Sequence, residues 1–132
     1  MMTHEDTDIA WIRLRAAEKL GWREVEYSRE GYLVGHGPGR QDIKVVPSYT
    51  RDTQAAWEIV EALMAVGADV KIGTTPRKIK EYAAEIRLPG RPVVRAIHEY
   101  PATAICLAFL ECEYSRVIKN GSILPCAGGK AA

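Results

Sequence analysis

The sequence has too few cysteines, too little net charge and too few long apolar runs for several classes of protein. Its 132 residues include three cysteines and one phenylalanine, and the formal net charge at pH 7 is +1. An odd number of cysteines without paired spacing argues against a secreted disulfide scaffold. The small net charge gives no overall field that would favour nucleic acid or an anionic membrane. No apolar run approaches the roughly 20 residues that cross a bilayer.

The length and the first residues predict one soluble domain. The chain begins with an acidic, polar segment, MMTHEDTDIA, which is unlike the basic start and apolar centre of a signal peptide. We therefore expect a cytoplasmic protein with no membrane association. Residues 1–118 are predicted to form a single domain. Residues 119–132, which are rich in glycine and without periodicity, are predicted to be a weakly ordered tail.

The alternation of helical and strand patterns predicts an α+β fold, a layered α/β/α sandwich with a mainly antiparallel central sheet and about three helices. Apolar residues at helical spacing predict helices over about residues 6–20, 50–66 and 101–115. Strands are predicted by alternation and by β-branched residues within 22–34 (a hairpin), 42–46, 69–73, 82–88 and 92–98. In the second helix Thr50 is the predicted N-cap, Asp52 lies in the first turn, and Gly67 ends the helix.

Two of the predicted helices are apolar on two sides. In the third helix Leu107, Leu110 and Tyr114 lie opposite the main stripe, and in the first helix Trp11 and Leu14 do the same. One explanation is that the two helices pack side by side within the chain. The other is that these five residues form the interface of a homodimer or contact another protein, because exposed apolar patches usually mark a partner.

The segment from residue 71 to residue 95 is locally basic. Its cations are Lys71, Arg77, Lys78, Lys80, Arg87, Arg91 and Arg95, and few acidic residues lie near them. If the side chains share one side of the hairpin around Pro89 and Gly90, they form a stripe that can contact phosphates, which makes nucleic-acid binding an alternative function. The competing interpretation is a solvated hairpin face whose charges discourage aggregation.

No catalytic, metal or cofactor motif stands out. The glycine-rich loop 35–40 lacks the Lys-Ser/Thr pair of a P-loop, so a turn between strands is favoured over an anion site at Arg40. The three histidines lie in different elements, and Cys106 and Cys112 are about 120° apart on a helix. We predict no catalytic residues, no bound metal and no cofactor. An encounter of His98 with Cys106, with Arg95 nearby, is the arrangement that would indicate an enzyme.

Four segments resemble the phage ABA sandwich family. They are residues 18–22, 48–52, 55–61 (AAWEIVE) and 102–108 (ATAICLA), in the same order along the chain. The resemblance implies a central sheet between helices and an origin in a phage or prophage, within a bacterial host cell. It implies no activity and no site residues. The loop 74–80 and the tail beyond residue 117 depart from the family pattern.

Together these observations predict a small accessory protein of phage origin. It is expected to be non-catalytic and to act by binding a protein partner or a second copy of itself. Nucleic-acid binding through the segment 71–95 is the alternative.

Overall fold

The computed structural model describes residues 4–76 and 80–114, with side chains from residue 10 onward. The described helices are α1 (His4–Leu20), α2 (Thr53–Ala65) and α3 (Pro101–Glu111). The described strands are β1 (Arg23–Tyr27), β2 (Leu33–His36), β3 (Ile43–Val45), β4 (Asp69–Thr74), β5 (Tyr82–Arg87) and β6 (Val94–His98).

The strands form two antiparallel sheets, in the orders β1–β2–β3 and β4–β5–β6. The register of β1 on β2 shifts between Arg23 and Glu26, which marks a bulge. The register of the second sheet is regular throughout, with Lys71 opposite Glu85 and Glu85 opposite Arg95. Three helices with two antiparallel sheets confirm the predicted α+β, sandwich-like class; the strands are divided between two sheets instead of sharing one central sheet.

Helix α3 lies at the centre of the packing. It contacts β5 and β6 of the second sheet and also contacts α1 and α2. Ala104 and Ala108 are completely buried, and these small side chains allow neighbouring elements to approach the helix closely. Only Glu111 of this helix is exposed. Contacts on several sides explain why α3 is apolar on more than one side, and the prediction that the first and third helices pack together is confirmed.

The start of α2 corrects one prediction. The N-cap is Asp52, whose carboxylate accepts a hydrogen bond of 2.9 Å from the backbone N–H of Gln54. Thr50, the residue predicted for this role, is buried, and its carbonyl accepts a hydrogen bond from the Thr103 hydroxyl. The predicted end is confirmed, since Gly67 has a φ of +87° just after the helix, which a residue without Cβ adopts most easily.

Helix α3 begins as predicted at Pro101 but ends at Glu111, about four residues before its predicted end. The backbone becomes extended at Cys112, with a ψ of 165°. The ammonium group of Lys19, on α1, donates hydrogen bonds to the carbonyl oxygens of Leu110 and Cys112. These carbonyl oxygens have no backbone N–H partner further along α3, so the ammonium group of Lys19 provides their hydrogen-bond donor.

The predicted tail 119–132 lies outside the described residues. Within the described residues, no helix is both long and apolar enough to cross a membrane.

Candidate interaction surfaces

The basic residues of the predicted hairpin are largely matched by carboxylates. Strands β5 and β6 place Arg87 3.1 Å from Asp69 and Arg95 3.3 Å from Glu85. In the turn between these strands, Arg91 lies 3.1 Å from the carboxylate of Glu113. These are exposed ion pairs, which contribute little stability individually. They do, however, replace the predicted basic stripe with a surface of alternating charge.

The remaining basic residues do not form a described cluster. Lys71, on β4, lies directly opposite Glu85 in the register. Lys80 is exposed and has a φ of +60°. Arg77 and Lys78 lie outside the described residues. The described geometry therefore brings no uncompensated group of cations together, and nucleic-acid binding stays a prediction.

The predicted interface on α1 and α3 consists mostly of side chains that the chain itself covers. Tyr114 is buried, with its ring 5.2 Å from the ring of Phe109. Leu14, Leu107 and Leu110 are partly buried and pack against the core. Trp11 differs, because it is 54% exposed, with the guanidinium of Arg15 5.4 Å from its ring centroid.

A second apolar surface lies on α2. Trp57 is 47% exposed and Met64 is 59% exposed. Residues seven apart in a helix lie on the same side, so these two large side chains form one strip, with the exposed Glu61 between them. The opposite side of α2 is formed by Ala55, Ile59 and Leu63, which are buried. The strip is therefore not part of the core-facing side of the helix.

Strand β4, which α2 contacts, is an edge strand. Among the described residues it pairs only with β5, so its second edge carries unpaired backbone N–H and C=O groups. Val70 faces the helices together with the buried Ile86 of β5. Asp69 and Lys71 project from the opposite, open face and are exposed. An exposed apolar strip on α2 thus accompanies an edge strand that can accept a further strand.

The hydrogen-bonded side chains around Tyr49 connect elements of the fold. The Trp22 indole N–H donates a hydrogen bond of 3.1 Å to the Tyr49 hydroxyl, which donates one of 3.0 Å to Glu58. Burial, first of all, and the neighbouring Glu58 raise the pKa of Tyr49 well above its usual range. A phenol held in its neutral form by burial and by an acceptor serves as a connection between the segment that precedes β1 and α2.

The thiol of Cys106 does not have the properties of a catalytic nucleophile. Its thiol donates to the carbonyl oxygen of Tyr49 over 3.2 Å, and burial raises its pKa to about 12. Nδ1 of His98 accepts from the backbone N–H of Tyr100, so each group already has a partner. A thiol that stays protonated at neutral pH is a poor nucleophile. Among the described residues, no three His, Cys, Asp or Glu side chains converge as metal ligands.

The glycine-rich loop 35–40 comprises the last two residues of β2, Gly35 and His36, and the turn that leads to β3. At Gly35 an added Cβ would lie 3.1 Å from the carbonyl oxygen of Arg23, which explains the need for glycine here. His36 lies 3.3 Å from the carboxylate of Glu24, whose φ of +54° belongs to the bulge in β1. The backbone carbonyl of Arg40 accepts a hydrogen bond from Arg23. These contacts support the interpretation of the loop as a turn between strands.

Comparisons of the chain with protein-family models, with curated proteins and with solved structures found no match. The resemblance to the phage ABA sandwich family is therefore still a prediction.

Two features of the surface were missed in the sequence. Trp57 and Met64 are not among the residues predicted to form an interface, although their spacing of seven would have placed them together on one side of α2. The alternation of charge between β4, β5 and β6 depends on strand register. The sequence provides no local signal for register across a loop as long as the one between β4 and β5.

Proposed function

We propose that this protein acts by binding a polypeptide, and that the surface of α2 and the adjoining strand β4 makes the contact. The exposed strip of Trp57 and Met64 on α2 carries the proposal. Tryptophan and methionine are enriched at protein interfaces and contribute large apolar area when they are covered. The unpaired edge of β4 adds backbone groups to which an extended segment can bind.

A non-catalytic role agrees with the chemistry of the described side chains. Cys106 and Tyr49, the two strongly perturbed groups, are held protonated by burial and take part in contacts between elements. Surfaces that expose large apolar side chains commonly bind partners. An origin in a phage or prophage remains part of the proposal, since it is supported only by the resemblance of residues 18–22, 48–52, 55–61 and 102–108.

The test compares two tryptophans of similar exposure on different helices. Trp57→Lys changes the α2 surface, and Trp11→Lys changes the interface predicted from the sequence; both should fold, because each side chain is about half exposed. Light scattering over a range of protein concentrations measures self-association of the full chain. We expect Trp57→Lys to weaken it and Trp11→Lys to leave it unchanged. Loss with Trp11→Lys alone would assign binding to α1, and a monomeric wild type at every concentration would contradict self-association.

A further inference from the structure

The edge of β4 is the longest unpaired strand edge in the described part of the chain. It has six residues with no shift of register against β5. The edge strand β3 has only three residues, and the edge strand β1 is interrupted by its bulge. Short length, bulges, proline and charged side chains protect sheet edges from pairing. Of these, β4 has only the charges, on Asp69 and Lys71.

The open face of the second sheet carries charges of alternating sign from strand to strand. Arg95 on β6 is opposite Glu85 on β5, and Glu85 is opposite Lys71 on β4. In the next row, Asp69 on β4 is opposite Arg87 on β5. On β4 the first row therefore ends at the positive Lys71, and the second row ends at the negative Asp69.

We infer that two copies of this chain pair antiparallel through the first three residues of β4, with Val70 opposite Val70 of the second copy, Lys71 opposite Asp69 of the second copy, and Asp69 opposite its Lys71. Residues 72–74 then lie opposite residues 66–68 of the second copy, which come just before its β4. The inference rests on the proposed function and names the partner and the register. In this arrangement the row of charges continues without a break across both copies. It runs from Arg95 through Glu85 and Lys71 to Asp69 and Arg87 of the second copy, so that every neighbour has the opposite sign.

The charges select this register over its neighbours. Antiparallel pairing of identical strands around a twofold axis places some residue opposite itself. With Lys71 at the axis two ammonium groups would meet, and with Asp69 at the axis two carboxylates would meet. Directly opposed like charges destabilise a pair of strands, whereas opposite charges stabilise it. With Ile72 at the axis, Lys71 would be opposite Gly73 and gain no carboxylate. Only the register centred on Val70 pairs both charges.

The same comparison favours a second copy paired through β4 over pairing through β6. Within β6, Arg95 is accompanied by no carboxylate, so pairing β6 with itself brings no opposite charges together. Pairing β4 of one copy with β6 of another would leave a free edge at each end and would continue into a filament. Pairing β4 with β4 is closed and gives one six-stranded sheet.

The test exchanges the two charges singly and together in the full chain. Lys71→Asp and Asp69→Lys each place like charges opposite one another twice in the dimer. We expect each to raise the dimer dissociation constant, measured by sedimentation equilibrium, by about tenfold or more. The double variant restores opposite charges, and so does an equimolar mixture of the two single variants. We expect dimers in both, with the mixture forming the heterodimer.

Two controls separate pairing from folding. The contacts of these residues with Arg87 and Glu85 lie within one chain, in monomer and dimer alike, so their effects largely cancel from the dissociation constant. Circular dichroism verifies that each variant is folded. Lys44→Asp makes the same change on the exposed edge strand β3 and should leave the dissociation constant unchanged.

The outcomes distinguish this inference from the proposed function. A dimer that is insensitive to both single exchanges, or one that neither the double variant nor the mixture restores, overturns pairing through β4 while leaving self-association intact. If Trp57→Lys weakens the dimer and the charge exchanges do not, α2 makes the contact without β4. A monomeric wild type overturns pairing through β4 and leaves a different polypeptide as the partner of α2.

Discussion

The hydroxyl of Tyr49 lies 3.0 Å from Oε1 of Glu58, and it donates a hydrogen bond to that carboxylate from a completely buried ring. The same hydroxyl accepts from the Trp22 indole, and the Tyr49 carbonyl accepts from the Cys106 thiol. One residue in the connection before α2 thus joins the segment between α1 and β1 to α2 and α3. This network fixes the position of α2, the helix that carries the exposed Trp57 and Met64.

Removing the Tyr49 hydroxyl should destabilise the fold. Tyr49→Phe leaves the Trp22 indole without its acceptor and Glu58 without its donor. We expect the free energy of unfolding, measured with urea, to fall by about 1 to 2 kcal/mol. Tyr32→Phe is the matched control, because Tyr32 is exposed and should change by less than about 0.5 kcal/mol. Equal effects of the two substitutions would show that the network is not stabilising.

Alkaline pH should destabilise the protein in part through Cys106. Burial raises the pKa of this thiol from its ordinary value of 9.0 to about 12, so above pH 9 the unfolded chain loses the proton first. Stability from this group is complete below pH 9 and is lost as the pH rises towards 12. Cys106→Ser keeps a donor for the Tyr49 carbonyl but does not ionise in this range.

For Cys106 the quantity to compare between the two proteins is the change in the free energy of unfolding with pH, not its absolute value. Between pH 9 and about 10.5 we expect the free energy of unfolding of the wild type to fall by about 2 kcal/mol more than that of Cys106→Ser. Tyr49 and Cys112 titrate in both proteins, and the pKa of Tyr49 is raised mainly by burial, which the substitution does not change. Parallel pH profiles would mean that the thiol titrates in the folded state as it does in the unfolded state.

The N-cap of α2 provides a test of the corrected helix start. Asp52→Ala removes the acceptor for the Gln54 N–H and should cost about 0.5 to 2 kcal/mol of stability. Asp52→Asn retains a side-chain oxygen and should differ from the wild type by only a few tenths of a kcal/mol. The thermal midpoint and urea unfolding measure both. Indistinguishable alanine and asparagine variants would argue against capping by Asp52.

The central position of α3 predicts that its small residues cannot be enlarged. Ala104 is completely buried, and Ala104→Leu should destabilise the protein by about 1 to 3 kcal/mol through overpacking. Ala65→Leu makes the same change at the exposed end of α2 and should have little effect. Tolerance of leucine at position 104 would indicate looser packing around α3 than described.

Local signals in the sequence were sufficient for most elements and insufficient for their assembly. Pro101 and Gly67 mark a helix start and a helix end through their own backbone preferences, and the turn at Gly90 follows from the same chemistry. Thr50 was mistaken for the cap because it and Asp52 are both good capping residues only two positions apart.

The assembly depends on contacts between residues far apart in the chain. Arg87 was predicted as part of a basic stripe, but its charge is matched by Asp69, eighteen residues earlier. Lys19 binds the carbonyl oxygen of Leu110 at the end of α3, although the two residues are 91 positions apart in the sequence. The division of the strands between two sheets also depends on contacts between residues far apart in the chain. Neither the pattern of apolar residues nor the local turn chemistry specifies such pairings.

The mass of the full wild-type chain in solution tests the central claim most directly. Sedimentation equilibrium from about 1 µM to about 200 µM covers the concentrations at which a dimer of moderate affinity forms. Pairing through β4 predicts a mass that rises with concentration towards twice the chain mass of 14.6 kDa and goes no higher, because such pairing closes on itself. A mass of 14.6 kDa at every concentration, or continued growth beyond the dimer, would contradict it.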